Sequence, residues 1–419
     1  MQMDAQTAFE RIEKDSDYLI ETLQRLIAID TRVPPGNGYE RMADFVEPEF
    51  RRWGLDVKRV VIPPEKVKRI PMPLEGPRVN VVATKLVGRE PVSIYAHTDT
   101  VHADEDWTLD PFAGTVKDGV LYGLGALDMK GSIACLLAAL KTLHELKLEP
   151  VFDIHCLLCT DEEIGVYPGV YHLALEGYVK GPIFNLELGA QEPVLIQGLS
   201  GTVDFMVTIH GRSCHSGMNY LGVNAIEELL PIAEELMVLK HAVQKRESAI
   251  PSFPLPGVPS EKLTPRFTLS IVKGGVKANV VPGECTLTVN RRYIPEESLD
   301  DVVAEFEQAV ERGRKRSTAV AVSVKHRMDY PPVTFDLESP YMEKLKKARK
   351  AVHGYEDFIV GGLSGSTDMG FVAQALGTQL FIGTSPARAD NLSAHAADEH
   401  VGVADLVSMT KELVHFLAF

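Results

Sequence analysis

The sequence predicts a multidomain α/β protein: a central, mostly parallel sheet flanked by helices, interrupted by an inserted α+β domain. The chain has 419 residues, more than a single hydrophobic core usually organises. From about residue 80, short continuous apolar runs alternate with helical patterns, which is typical of strands buried on both faces. Between residues 199 and 330 the runs alternate apolar and polar residues instead, in the β-α-β-β-α-β order of a ferredoxin-like domain.

The elements follow from these patterns in chain order. Residues 8–28 carry apolar positions at helical spacing and predict one amphipathic helix, PPGNGYE predicts a loop, and a second helical pattern runs to Trp53. The strands expected next are VNVVATKLV, PVSIYAH, FDIHCLLCT and GPIFNLEL, with GSIACLLAALKTLHEL as a buried helix between them. We expect one domain in two parts, residues 1–198 and 331–419, and an inserted domain, residues 199–330. A Pro- and Ser-rich loop runs from Ser248 to Pro265 within the insert.

Composition excludes several classes of protein. Lys and Arg number 43 against 58 Asp and Glu, for a net charge of −15, so the chain lacks the basic footprint of a nucleic-acid-binding protein. No apolar run approaches the roughly 18 residues that a membrane span requires, and the N-terminus has no signal-peptide core. Five cysteines do not make a disulfide framework. We therefore expect a cytoplasmic enzyme that binds neither nucleic acid nor membranes.

Acidic and imidazole side chains recur at the ends of the predicted strands. Any one of them alone would more often be a cap or a solvated loop residue. However, loops at the carboxyl ends of the strands in an open α/β sheet converge on one crevice, where several carboxylates would repel each other unless a cation lay among them. The candidates are His97, Asp99, Asp128, Asp161, Glu162, Glu163, Glu187 and His395.

The residue types indicate which cation. His with Asp and Glu, and without Cys, favours zinc, cobalt or manganese. Cys156 and Cys159 form a CxxC, but they lie within an apolar strand and point to opposite faces, which predicts core positions. HExxH, P-loop and GxSxG motifs are absent from the sequence.

The motifs AHTDTV, GLGALDMKG, TDEEIG, NLELG and AHAADEHV, in this order, resemble those of a known family. It is the family of zinc aminoacylases and carboxypeptidases that includes acetylornithine deacetylase, succinyl-diaminopimelate desuccinylase and glutamate carboxypeptidase. The insert is also similar, in GRSCHSG and GGVKANVVPGECTLTVNRRYIP. The resemblance covers the chain from about residue 18 to the end. It implies a zinc-peptidase-like catalytic domain with a ferredoxin-like lid or dimerisation domain inserted in it, and hence a homodimer.

Carried over residue by residue, the resemblance implies a site with two divalent metal ions, zinc in the first place and cobalt or manganese as alternatives. Asp128 would bridge the ions, and Asp99 would hydrogen-bond one ligand, His97. Glu162 would be the general base, acting on a hydroxide between the metals, and the Asp128–Met129 peptide bond would be cis. The remaining ligands would be Glu187 with His97 on one ion, and Glu163 with His395 on the other.

In the insert, His215 resembles a family histidine that reaches into the partner subunit's site and helps to bind the oxyanion. Asn279 and Arg292 match positions that contact substrate; an arginine can hold a carboxylate bidentately. Arg291 beside it is the alternative, because neighbours on a strand point to opposite faces. Ser366 and Thr367 either contact substrate hydroxyls or belong to a glycine-rich turn.

The function implied is a metal-dependent amidohydrolase of the deacetylase or desuccinylase type, which cleaves the amide of a small N-acyl amino acid. In the family, Glu rather than Asp at position 187 goes with deacylases and carboxypeptidases. A dipeptidase or carboxypeptidase of the same fold stays an alternative. A catalytically inactive homologue that binds a ligand is a weaker one, because the base and all five ligands are present.

Overall fold

A computed structural model describes residues 4–103, 106–254, 260–391 and 393–419. The chain forms two compact units. The first comprises Met1–Gln197, Phe335–Val360 and Phe371–Phe419, and the second comprises Gly198–Thr334 and Gly361–Gly370. The expected division instead kept residues 361–370 with the C-terminal part of the chain. Of the loop expected from Ser248 to Pro265, residues 255–259 lie outside the described part.

The N-terminal part of the chain alternates helices and strands. Its elements are α1 (Ala5–Lys14), α2 (Ser16–Ile27), α3 (Tyr39–Arg52), β1 (Asp56–Val61), α4 (Pro64–Val67), β2 (Val79–Lys85), β3 (Pro91–His97), β4 (Thr115–Lys117), β5 (Val120–Tyr122), α5 (Lys130–Glu145), β6 (Asp153–Cys159), α6 (Gly169–Leu175), β7 (Ile183–Asn185) and β8 (Val194–Leu199). The single helix expected over residues 8–28 is wrong. It is divided at Asp15, whose φ of −96° and ψ of 17° leave the helical range. The short polar residues of KDSD favour caps and turns over helix interiors.

The second unit has the predicted ferredoxin-like order. Its elements are β9 (Gly201–His210), a 3₁₀ helix (Ser216–Leu221), α7 (Ala225–Val243), β10 (Arg266–Gly274), β11 (Glu284–Tyr293), α8 (Leu299–Arg314), β12 (Ala321–Tyr330) and β13 (Val333–Thr334). The long strands form an antiparallel sheet in the order β10-β11-β9-β12. Alternate residues of β9, from Val203 to Ile209, are buried, and the Phe205 ring stacks on Phe306 of α8 at 3.8 Å between centroids.

The C-terminal part of the chain completes the first unit's sheet. It contains α9 (Pro340–His353), β14 (Ile359–Leu363), α10 (Met369–Leu376), β15 (Phe381–Gly383), β16 (His400–Gly402) and α11 (Val403–Ala418). Six strands are ordered β1-β2-β6-β3-β7-β15, and two smaller sheets are ordered β13-β8-β14 and β16-β5-β4. The strands β6, β3, β7 and β15 are parallel, whereas β2 runs antiparallel to its neighbours. Four neighbouring strands therefore have their carboxyl ends at one edge of the sheet.

The core of the first unit lies between this sheet and its helices. The predicted buried helix is α5, which is enclosed along nearly its whole length, and α2 and α11 pack against it. Cys156 and Cys159 are fully buried in β6, which confirms them as core residues. Within the described ranges, no helix is both long enough and apolar enough to cross a membrane.

Candidate active site

Three of the predicted ligands lie at the carboxyl edge of the sheet. His97 ends β3, Glu163 follows β6 and Glu187 follows β7, and β3 pairs in parallel with both other strands. Asn185 positions Glu187, because its Oδ1 accepts a hydrogen bond from the Glu187 backbone N–H at 2.7 Å. The edge that collects these side chains is thus set by strand direction.

Asp128 and His395 reach the same place from loops. Asp128 stands two residues before α5, and His395 precedes β16, which pairs with β5. His97 Nε2 lies 3.0 Å from Asp128 Oδ1, and His395 Nε2 lies 3.2 Å from Asp128 Oδ2. His395 Nε2 is also 3.1 Å from Glu163 Oε2. The Asp128–Met129 peptide bond is cis.

These side chains form two groups of potential metal ligands that share Asp128. His97, Asp128 and Glu187 make one group, and Asp128, Glu163 and His395 make the other; within each, the ligand atoms lie within 4.8 Å of one another. Both groups combine imidazole and carboxylate, the donor set of zinc and related ions. Glu163 Oε1 is buried without a hydrogen-bond partner among the described residues, a costly arrangement that a cation would relieve. The residues therefore fit two divalent ions.

The pKa shifts within the cluster also favour positive charge at this place. Hydrogen bonds to Asp128 and Glu163 raise the pKa of His395 to about 11. Burial disfavours the charged form of His97, but its hydrogen bond to Asp128 and the nearby carboxylates outweigh burial and raise its pKa well above the ordinary value. Burial, with the charge of Asp128, raises the pKa of Glu163. The cluster therefore stabilises positive charge at its imidazoles.

Asp99 and Glu162 lie next to the ligands, and both are buried. The expected hydrogen bond from His97 to the Asp99 carboxylate is not made: His97 Nδ1 is 3.7 Å from Asp99 Oδ1 and 3.2 Å from the Asp99 carbonyl oxygen. The carboxylate instead accepts from the Glu163 backbone N–H at 2.9 Å. Asp99 thus ties the loop after β3 to the loop that carries Glu162 and Glu163.

Asp161, which also follows a predicted strand, is not in either group of potential ligands. It pairs with other side chains of the first unit. Its carboxylate accepts from the Tyr39 hydroxyl at 2.8 Å and from Arg78 Nε at 3.1 Å. Both side chains of the Arg78–Asp161 pair are fully buried. Burial raises the pKa of Asp161 to about 6, against the lowering effect of the Arg78 charge.

Two buried charged residues hold the loop that carries the ligand Asp128. Neither was given a role from the sequence. Glu399 accepts hydrogen bonds from the backbone N–H groups of Gly125, Leu127 and Asp128 at 2.8, 2.8 and 2.9 Å. Lys130 Nζ donates to the carbonyl oxygen of Ile29 at 2.7 Å. Both residues lie inside the quoted motifs AHAADEHV and GLGALDMKG, but nothing in a motif shows which backbone groups a side chain will reach.

In the second unit the structure brings His215 and Asn279 together. The two segments form an isolated bridge between His215 and Val280, and the Ser216 backbone N–H donates to the Asn279 carbonyl oxygen at 3.0 Å. Both side chains are exposed. The ring of His215 accepts the Gly217 N–H at Nδ1, so this nitrogen is used within the local turn.

Arg291 and Arg292 face opposite sides of β11. Arg291 is buried, with Nη2 2.6 Å from Glu297 Oε1. Arg292 is half-buried, and its Nη1 donates to Ser366 Oγ at 3.0 Å. Ser366 in turn donates to the Ser200 carbonyl oxygen at 2.7 Å. Thr367 is fully buried, so the structure places Ser366 beside the candidate arginine and Thr367 within the turn.

Comparison with known proteins identifies the family. A family model described as Peptidase family M20/M25/M40 matches residues 93–418, more than three quarters of the chain. The chain belongs to this family. The predicted resemblance is thereby confirmed, and so is the class of activity, that of a hydrolase of linear amides and peptides from a metallopeptidase family.

Individual members of the M20 family extend the match to nearly the whole chain. A probable succinyl-diaminopimelate desuccinylase of Staphylococcus epidermidis is 27% identical over 90% of this chain and 92% of its own length. An N-formyl-4-amino-5-aminomethyl-2-methylpyrimidine deformylase of Halalkalibacterium halodurans is 26% identical over 97% of this chain and 95% of its own. The crystal structure of human carnosine dipeptidase 1 superposes with a TM-score of 0.77 at 18% identity, covering 99% and 98% of the two chains. This last likeness confirms the predicted fold class.

Proposed function

We propose that this M20 protein hydrolyses the amide bond of an N-acyl amino acid, in the manner of a desuccinylase or deacetylase. The observation that carries the proposal is the pair of ligand groups that share Asp128. Asp128 would bridge two ions, zinc in the first place, with His97 and Glu187 on one ion and Glu163 and His395 on the other. When bound, such ions polarise an amide carbonyl and lower the pKa of water.

The protein's own residues supply the proton transfers and the positioning. Glu162 adjoins the ligand Glu163 on the loop after β6 and is buried. Its carboxylate therefore has little contact with solvent. It takes the proton of the attacking water and returns it to the leaving amine, which completes general base and general acid catalysis. Asp99 holds this loop through the Glu163 N–H, and the products are a carboxylate and a free amine.

The relatives support the acyl side of the proposal. The desuccinylase and the deformylase are named for removing an acyl group from nitrogen, and both align over at least nine tenths of this chain. A dipeptidase or carboxypeptidase reaction is the second candidate. It also cleaves an amide bond, and the substrates differ only in the group on the acyl side of that bond.

The second unit has a proposed role in substrate binding and dimerisation. Arg292 would bind the substrate carboxylate, Asn279 would contact substrate, and His215 would act in the partner subunit's site. Supporting dimerisation, the unit exposes apolar side chains on α7 and on the edge strand β10, among them Leu230, Val238 and Val272, each about 60% exposed. The roles of Ser366 and Thr367 in contacting substrate, and a cytoplasmic location, stay predictions.

The test is amine release from N-succinyl, N-acetyl and N-formyl amino acids, measured beside unblocked dipeptides of the same amino acids. Wild-type enzyme, chelator-stripped enzyme and enzyme reloaded with zinc, cobalt or manganese are compared. We expect release from blocked amino acids that is lost on stripping and restored by metal. Cleavage of dipeptides alone would select the peptidase reaction.

Glu162→Gln separates the role of the base from metal binding. The variant should bind as much metal as wild type and lose at least 100-fold in kcat, within the range of general base catalysis. Glu10→Gln, at an exposed position of α1, is the control and should keep full activity. Wild-type turnover in a metal-loaded Glu162→Gln enzyme would refute the mechanism.

A further inference from the structure

The turn that carries His395 is exposed, unlike the strand ends that carry other predicted ligands. The His395 side chain is 52% exposed, whereas Glu163, its neighbour in the second ligand group, is 5% exposed and His97 is fully buried. Close packing fixes a buried ligand, but it has little effect on a ring that lies half in solvent. The position of His395 must therefore depend on how its own turn is held.

The backbone of this turn needs support from its surroundings. His395 and Asp398 have φ values of +60° and +54°, in the left-handed region that residues other than glycine rarely adopt. Such residues persist where the surrounding structure fixes them. One support is Glu399, whose carboxylate accepts three N–H groups of the loop before α5.

The Asp398 carboxylate provides a second support. Its Oδ1 accepts hydrogen bonds from the backbone N–H groups of Thr108 at 2.9 Å and Leu109 at 3.2 Å, and its Oδ2 accepts one from the Thr108 hydroxyl at 2.6 Å. Thr108 and Asp398 are 290 residues apart in the sequence. Three hydrogen bonds thus join the ligand turn to the segment between β3 and β4.

That segment is in turn bonded to the loop that leads to Asp128. The Pro111 carbonyl oxygen accepts a hydrogen bond from the Leu124 N–H at 2.8 Å, and Leu124 stands four residues before Asp128. The Gly123 N–H donates to the Glu399 carbonyl oxygen at 2.9 Å. The ligand turn, residues 108–111 and the loop before α5 are therefore each bonded to the other two.

We infer that Asp398 is a positioning residue for the ligand His395, and that it acts on one of the two metal sites. The inference rests on the proposed function, because it takes both ligand groups to bind metal. The group that contains His97 includes no residue of the turn, and His97 itself is buried. Loss of the Asp398 carboxylate should therefore weaken the site that contains His395 and leave the other site largely intact.

The test uses variants that separate the carboxylate from the backbone. Asp398→Gly removes the carboxylate, and glycine adopts a φ of +54° without strain. Thr108→Val removes one of the three hydrogen bonds. Asp153→Ala is the matched control, because the Asp153 carboxylate also accepts three hydrogen bonds from a distant segment, residues 87–89. It stands at the start of β6, the end opposite to Glu163.

Binding of cobalt(II) is measured by visible absorption during titration and by equilibrium dialysis, neither of which depends on turnover. We expect wild type and Asp153→Ala to bind two ions per chain with the same affinities. Asp398→Gly should bind one ion as wild type does and the other about tenfold more weakly, the lower end of the range for residues that orient metal ligands. Thr108→Val should weaken the same ion by a smaller factor.

Unchanged affinity for both ions in Asp398→Gly overturns the inference and leaves the proposed function standing. Equal weakening of both ions, or the same loss in Asp153→Ala, also overturns it, because Asp398 would then act on the fold of the whole unit. If Asp398→Gly does not fold, Thr108→Val decides between the same outcomes. A wild-type chain that binds no metal refutes the proposed function, and the inference falls with it.

Discussion

Replacement of Glu399 by glutamine tests whether a buried side chain sets the position of Asp128. Glu399 Oε1 accepts the N–H groups of Leu127 and Asp128, and Oε2 accepts that of Gly125. Glutamine keeps one oxygen, which can still accept the first two N–H groups. Its amide nitrogen, however, is a donor that faces the Gly125 N–H, another donor.

The expected cost follows from that count. One hydrogen bond to a charged acceptor is lost, worth about 1.5–3 kcal/mol, and one buried N–H is left without a partner. Changes of this kind in residues that orient metal ligands weaken metal binding by about 10–100-fold. We expect Glu399→Gln to bind zinc more weakly within that range and to show a lower kcat at limiting metal.

The assay is competition for zinc with a chromophoric chelator, followed by kcat and KM at saturating metal. A role in positioning predicts that KM changes little and that excess zinc restores part of kcat, whereas general unfolding would lower both and would appear in circular dichroism. Glu10→Gln is the control. Zinc affinity within twofold of wild type, in a folded variant, would refute the reasoning.

Two further predictions concern the stability of each unit. Arg78→Leu leaves Asp161 buried without its cation and should lower the free energy of unfolding by about 3–5 kcal/mol; urea denaturation measures this, and the double variant with Asp161→Asn should recover part of the loss. Phe306→Ala removes the ring stacked on Phe205 in the second unit and should cost about 3–5 kcal/mol. Glu307→Ala, on the exposed face of the same helix, should change thermal unfolding little, and equal effects of the two changes would contradict the packing argument.

The ligands could be predicted from the sequence because strand direction alone assembles most of them. His97, Glu163 and Glu187 each follow a continuous apolar run, and parallel neighbouring strands end at one edge. No comparable pattern exists for the residues that hold the loops. Glu399 lies 271 residues from Asp128, and a contact at that separation depends on the folded path of both segments.

The errors in the sequence-based predictions have the same origin. The helix expected over residues 8–28 carries a continuous apolar stripe, yet it is divided at Asp15. The Asp15 carboxylate accepts hydrogen bonds from Arg11 and from Lys141 of α5, and the second of these partners is invisible to local periodicity. The Asp99 carboxylate was expected to accept a hydrogen bond from His97. It accepts one from the Glu163 N–H instead, which lies closer to it than the His97 ring does. In both cases an aspartate is held by a partner that lies far away in the sequence.

The loops around the candidate metal centre are irregular, so their backbone groups lack the partners that a helix or strand would provide. Three buried charged side chains supply those partners: Glu399 binds the loop before α5, Lys130 binds the loop after α2 at Ile29, and Arg78 binds the same α2–α3 loop at Pro35. Charges are costly to bury unless they are hydrogen-bonded. Their concentration at one edge of the sheet therefore indicates where irregular backbone is held rigid. Glu399 and Lys130 flank Asp128 on the folded chain, and Arg78 holds the loop between α2 and α3, so buried charge would keep both loops in position for the predicted metal ligands.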